Sequence, residues 1–125
     1  MKKILIADND KNILNLYLSY LEDLKGYDIR TAKNGLETIE KIVEDKPDIL
    51  VIDINIPCAN GQGLCKRIRN NPETKDIYII VSSGFNLPEE TREYIDTLFL
   101  KPYPVEDLIE KLEDIGGKDE KNIDG

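Results

Sequence analysis

Ile49-Leu50-Val51-Ile52-Asp53-Ile54-Asn55-Ile56-Pro57 is the stretch whose reading decides the fold: four apolar residues in a row, then a carboxylate, then a segment ending in proline. An uninterrupted apolar run of this length, cut off abruptly, reads as a strand buried on both faces. Such strands belong to parallel sheets covered by helices on both sides. In open sheets of that kind ligands bind beyond the carboxyl ends of the strands, so Asp53 is delivered to the chemically useful edge. Three other apolar runs end in the same way. Ile4-Leu5-Ile6-Ala7 leads into Asp8-Asn9-Asp10, Ile77-Tyr78-Ile79-Ile80-Val81 into Ser82-Ser83-Gly84, and Leu98-Phe99-Leu100 into Lys101-Pro102. Acids, a hydroxyl and an amine at four strand ends compose a site for a divalent metal and a phosphoryl group.

Working outward, strand-like and helix-like segments alternate. Lys3–Ala7 is the first strand. Ile13–Leu24 carries Leu14, Tyr17, Leu18, Leu21 and Leu24 on one helical face, and Gly26 suits its end. Tyr27–Thr31 alternates and reads as an edge strand. Asn34 caps a helix expected to bury Leu36, Ile39 and Val43. After Pro47 comes the Ile49–Ile52 strand, then a helix at Gly61–Asn70 with Leu64 and Ile68 inward, ended by Pro72. Ile77–Val81 is the fourth strand, and Asn86 is expected to cap a short helix with Pro88 near its first turn. Thr97–Leu100 is the fifth strand. Pro104 opens a last helix with Val105, Leu108, Ile109, Leu112 and Ile115 spaced for burial. Residues 1–116 form the domain, and 117–125 are expected to be a polar, disordered tail. Five strands alternating with five helices predict an α/β three-layer sandwich. The most apolar strands belong at the centre, which favours the flavodoxin-like (βα)5 order 2-1-3-4-5. Its switch point places Asp8, Asn9 and Asp53 side by side.

Bulk properties narrow the function. A chain of 125 residues is one domain by length. A net charge of −8 argues against direct nucleic-acid binding and against an anionic membrane surface. Met1-Lys2-Lys3 mimics the start of a signal peptide, but the apolar stretch after it stops at Asp8, which predicts a cytoplasmic protein. Cys58 and Cys65 have no CxxC spacing and read as reduced thiols. The chain has no histidine, so any phosphohistidine in its chemistry belongs to a partner.

Acidic residues occupy 25 of 125 positions, so an acid after any single strand says little. A solvated, helix-capping turn is an equally good reading of Asp8-Asn9-Asp10 taken alone. Taken together, the strand ends resemble the receiver domain of bacterial two-component response regulators (CheY-like) over about Lys2 to Ile115. Asp53-x-x-x-Pro57-x-x-x-Gly61 is similar to the family's phosphoacceptor loop, and Ile4–Asp10 to its acidic first strand end. Val81-Ser82-Ser83-Gly84 resembles the strand that ends in a Ser/Thr switch, and Lys101-Pro102-Tyr103 the Lys-Pro-aromatic signature. The resemblance implies a phosphorelay switch rather than a turnover enzyme, one that assists its own phosphorylation and dephosphorylation. Asp53 is then the nucleophile that becomes an aspartyl phosphate. Asp8, Asn9, Asp53 and the backbone carbonyl of Asn55 are the implied ligands of Mg2+ or Mn2+. Lys101 pairs with Asp53 and then with the phosphoryl oxygens, Ser82 donates to the phosphoryl group, and the Lys101-Pro102 bond is cis. The implied partners are a sensor histidine kinase or histidine phosphotransfer protein, and a downstream protein target.

Three positions depart from the family pattern. Asn9 stands where an acid is usual. The Ser82–Lys101 stretch is shorter than is common, next to the usual output surface. Leu98 occupies a position that is often a switching aromatic, while Phe99 reads as a buried strand residue. Asn9 and Leu98 keep open a degenerate receiver that binds partners without phosphorylation. Asp8-Asn9-Asp10 also resembles the nucleophile loop of haloacid-dehalogenase-type phosphatases, with Asp8 as nucleophile, although the chain is short for that family.

Overall fold

The computed structural model describes residues 2–22, 24, 26–57 and 60–124, with side chains described as far as Ile115. Five strands, β1 (Lys2–Ala7), β2 (Tyr27–Ala32), β3 (Ile49–Asp53), β4 (Tyr78–Ser83) and β5 (Thr97–Leu100), form one parallel sheet in the order β2-β1-β3-β4-β5. They alternate with α1 (Lys11–Leu21), α2 (Gly35–Glu44), α3 (Gly61–Asn70), α4 (Glu89–Arg92) and α5 (Val105–Asp124). The predicted strand order is the observed one, for the reason given by composition: β3, buried at every residue, lies at the centre, and β2, half-buried along most of its length, lies at an edge.

Strand alternation divides the core in two. Leu5, Leu50, Ile52, Ile79 and Val81 point to one face, where Ile42 of α2 and Leu64, Cys65 and Ile68 of α3 cover them. Ile4, Ile6, Ile49, Val51 and Ile80 point to the other, against Leu14, Tyr17 and Leu21 of α1 and Leu108 and Leu112 of α5. Each fully buried isoleucine or leucine contributes about 1.5–3 kcal/mol relative to exposure. The same alternation, continued one step past the apolar runs, puts Asp8, Asp53 and Ser82 on the α1/α5 side.

Local signals set most boundaries. Asp10 caps α1, accepting the Asn12 and Ile13 amides, so α1 starts earlier than its apolar pattern suggests. Asn34 and Asn60 cap α2 and α3 in the same way. Four expectations need correction. Leu36 and Val43 do not face the core; they are exposed, and Gly35, Thr38 and Ile42 are buried instead. The cap at Asn34 sets this phase, and the Thr38 hydroxyl is made harmless by donating to the Asn34 carbonyl at 2.7 Å. Asn86 does not cap α4. Pro88 occupies the N-cap without a side-chain bond, and buried Leu87 anchors the loop. Ile77 lies outside β4, its amide closing a turn onto the Thr74 carbonyl. Finally, the helical backbone of α5 continues to Asp124, across the segment expected to be a tail.

Gly61 has a steric reason. A Cβ there would collide with the Ile54 carbonyl oxygen, so α3 can start against the Asp53 loop only from a glycine. Gly61→Ala should destabilise the fold by roughly 1–3 kcal/mol, the scale of overpacking. Urea denaturation would show it as a lower midpoint.

Candidate functional site

Register brings the strand ends together. Ala7 pairs with Ile52, which sets Asp8 level with Asp53; Asp53 pairs with Ser82; Ser83 pairs with Leu100, which sets Lys101 just beyond. Asp8, Asp53 and Ser82 are 5%, 8% and 4% exposed, so the site sits in the sheet edge rather than on the surface.

Asp53 uses both oxygens. Oδ1 accepts the Asn55 amide at 2.9 Å, which folds the following loop back over the strand end. Oδ2 accepts Lys101 Nζ at 2.8 Å. Burial pulls the Lys101 ammonium down, but its hydrogen bond and attraction to Asp53, with help from Asp8, outweigh this and raise its pKa. Lys101 is fixed at its backbone too: its amide donates to the Ser83 carbonyl at 2.7 Å, and the Lys101-Pro102 bond is cis. Pro57 contributes through its carbonyl, which accepts the Gly35 amide at the start of α2.

Asp8 is an acid in an unfavourable place. Burial raises its pKa, the Asp10 amide bonded to it at 2.9 Å opposes this, and the Asp53 charge raises it again. Asn9 is exposed and lines the same groove as Asp8, Asp53 and Lys101, a space of about 610 Å3. Among the described residues no three His, Cys, Asp or Glu side chains gather as a metal cluster. The groove presents two buried carboxylates, Asp8 and Asp53, beside the exposed amide of Asn9.

The two serines part company here. Ser83 is fully buried and closes its own turn, donating to the Phe85 carbonyl at 2.6 Å and accepting the Phe85 amide at 3.1 Å. Ser82 Oγ, beside Asp53, is buried with no hydrogen-bond partner. Leu98 packs against the cluster on the far face of the sheet and is half-buried rather than buried. Phe99, also half-buried, packs on the site's own side, its ring 5.0 Å from that of Tyr103. Reading the sequence gave Tyr17 only a core role. Its hydroxyl in fact meets that of Tyr103 at 2.6 Å, and the signal was a phenol at a position where the neighbouring core residues are aliphatic. Cys65 is buried and its thiol is pushed up to about 12 by that burial, an inert position; Cys58 lies outside the described residues.

The family model for the response regulator receiver domain matches residues 4–113. The chain belongs to that family. The assignment sets aside the phosphatase reading, and the pairing of Lys101 with Asp53 rather than Asp8 agrees with it. The chain is 40% identical over 68 residues to the alkaline phosphatase synthesis transcriptional regulatory protein PhoP of Bacillus subtilis, an alignment covering 54% of this chain and 28% of that one. Among solved structures, response regulator TrrA of Thermotoga maritima, in complex with Mg2+ and BeF, is 29% identical with a TM-score of 0.79, covering 91% of this chain and 98% of that one. Chemotaxis response regulator CheY4 of Vibrio cholerae is 26% identical with a TM-score of 0.80, covering 92% and 98%. The chain spans about half the length, or less, of the curated relatives it matches.

The strain on Asp8 gives a pH prediction. Its raised pKa means that the folded state holds this proton to higher pH than the unfolded state does. Its contribution to stability therefore falls as pH rises from the ordinary carboxylate value through the raised one, and stays lost above it. Without metal, Asp8→Asn should raise the melting temperature at neutral pH. The gain should vanish near about pH 3, where Asp8 is protonated in both states. Thermal melts of both forms across this range check it.

Proposed function

We propose that this domain is a phosphoacceptor switch that takes a phosphoryl group from a partner's phosphohistidine onto Asp53. The observation that carries the reading is the Lys101–Asp53 ion pair at 2.8 Å, set beside a second buried acid and a buried serine hydroxyl without a partner. Asp53 Oδ attacks phosphorus as the P–N bond to the partner's imidazole breaks; the ring, already protonated on its other nitrogen, leaves as neutral histidine and Asp53 becomes an aspartyl phosphate. Such transfer is governed by positioning and charge neutralisation. Lys101 follows the charge from carboxylate to phosphoryl oxygen, and Ser82 Oγ gains the acceptor it lacks. The absence of histidine from the chain requires the donor to come from outside. Ile13, Leu16, Tyr20 and Val105 continue the Asp53 groove as an apolar bed for a histidine-bearing segment of a kinase or phosphotransfer protein.

The residues fit Mg2+ or Mn2+: Asp8 and Asp53 would supply charge, and the Asn9 side chain and the Asn55 carbonyl would supply neutral oxygens. Burial and the neighbouring Asp53 charge raise the pKa of Asp8, and a bound cation would oppose both. When bound, the ion would neutralise the phosphoryl oxygens during transfer. A relative's Mg2+–BeF complex supports the same assignment here.

The receiver unit spans residues 1–116, and the end of the family match at residue 113 supports that boundary. The net charge of −8 supports signalling through a protein target, with no direct nucleic-acid contact by this domain. No helix among the described residues is long and apolar enough to cross a membrane, which is compatible with a cytoplasmic site of action.

Acetyl phosphate with Mg2+ should add one base-labile, hydroxylamine-sensitive phosphate, mapped to Asp53. Asp53→Asn should abolish it, whereas Asp8→Asn should only slow it. A phosphate on Asp8 would overturn the reading. Asn9→Asp should tighten Mg2+ binding about tenfold, the scale of one added, partly screened charge. Titration of both forms at one ionic strength checks this; equal affinities would remove position 9 from the metal site.

A further inference from the structure

We propose that the hydroxyl bond between Tyr17 and Tyr103 is a positioning clip that holds Lys101 against Asp53 and so sets the rate of phosphoryl acceptance. The inference rests on the reading of Asp53 as acceptor.

Lys101 is a flexible stem with its side chain 40% exposed, so its packing alone does not fix its ammonium. What fixes it must come from the chain on either side. Before it, the Lys101 amide is bonded to Ser83. After it, Tyr103 leaves the sheet edge, stacks its ring on Phe99 at 5.0 Å with the planes 27° apart, and joins its hydroxyl to Tyr17 at 2.6 Å. Tyr17 belongs to α1, the helix whose cap, Asp10, is itself bonded through its amide to Asp8. The clip therefore closes a ring: Asp8, α1, Tyr17, Tyr103, Lys101, Asp53. The Tyr17–Tyr103 bond joins α1 to the segment entering α5 and so ties the acid loop to the lysine loop, on top of the core packing between the two helices.

Packing does not account for the pair. Every other buried residue of the core cluster around Tyr17 is aliphatic, and Tyr17 is 7% exposed. A phenol there costs stability unless its hydroxyl is partnered, and a matched pair of phenols gains little over two phenylalanines. The arrangement is poor value for stability and good value for location, because the bond specifies where the lysine loop sits. Both tyrosines line the groove that holds Asp8, Asp53 and Lys101.

The test uses Tyr17→Phe, Tyr103→Phe and the double variant. Two quantities are read: the phosphorylation rate with acetyl phosphate at saturating Mg2+, and the melting temperature in the same buffer. Each single variant strands one phenol and should melt lower, while the double removes both polar atoms and should regain most of the loss. A positioning role predicts that the rate falls about fivefold in both singles, the scale of one net hydrogen bond, and stays as low in the double. Rates that recover with stability in the double, or that never change, overturn the proposal. A wild-type chain that accepts no phosphate defeats the reading of Asp53, and the clip is then decided by amide exchange. Faster exchange at Lys101 in all three variants, with Leu50 in β3 unchanged, supports it; equal changes at both amides, or none at either, overturn it.

Discussion

Two carboxylates buried at neighbouring strand ends, with one ammonium to share, are the constraint on which this molecule is organised. Asp8 and Asp53 are both almost inaccessible, and only Asp53 holds Lys101 directly. Burial disfavours the ionised form of Asp8, and the neighbouring Asp53 charge disfavours it further. A protein selected for stability alone would replace one of them. Keeping both leaves a site that gains from any ligand able to bring positive charge or to take up the lysine, which is the condition for a domain whose state depends on what binds at that edge.

The rest of the fold serves that edge. The central strands are aliphatic on both faces, so their register is strongly specified, and register in turn fixes which residues share a level. Gly61 lets α3 close against the Asp53 loop, and Pro57 ties that loop to α2. The asymmetry between Ser82 and Ser83 follows from alternation. Ser83 turns to the far side and spends its hydroxyl on the Phe85 backbone, stiffening the loop. Ser82 turns to the acid side and is left with an unspent donor. A buried hydroxyl without a partner costs about 1–3 kcal/mol.

Much of this was legible in the residues. Strand positions and their order followed from apolar runs, because a doubly buried strand has few alternatives. The acid, serine and lysine were legible as the residues that interrupt those runs. Helix phase was less legible. Leu36 and Val43 looked like core residues by hydrophobicity, yet the cap at Asn34 rotates them outward and brings in Thr38, whose bond to the backbone a hydropathy pattern does not register. Asn86 failed as a cap because a single-turn helix beginning after Pro88 leaves it too far upstream. The Tyr17–Tyr103 bond spans 86 positions, and no local pattern encodes a contact of that range.

The position of Leu98 bears on how a signal would leave the site. Alternation sends it to the face opposite Asp53, among residues of α3 and the α4 region, while Phe99 faces the acid side and stacks on Tyr103. An aliphatic side chain half-buried there has no polar tip to exchange between partners, so rotating it gains nothing to offset the lost packing. The aromatic groups coupled to Lys101 lie instead along β5, the α5 entrance and α1. The aromatic contacts beside Lys101 therefore lie on the α1–α5 side, while the loop before the four-residue α4 is held by the bonds between Ser83 and Phe85.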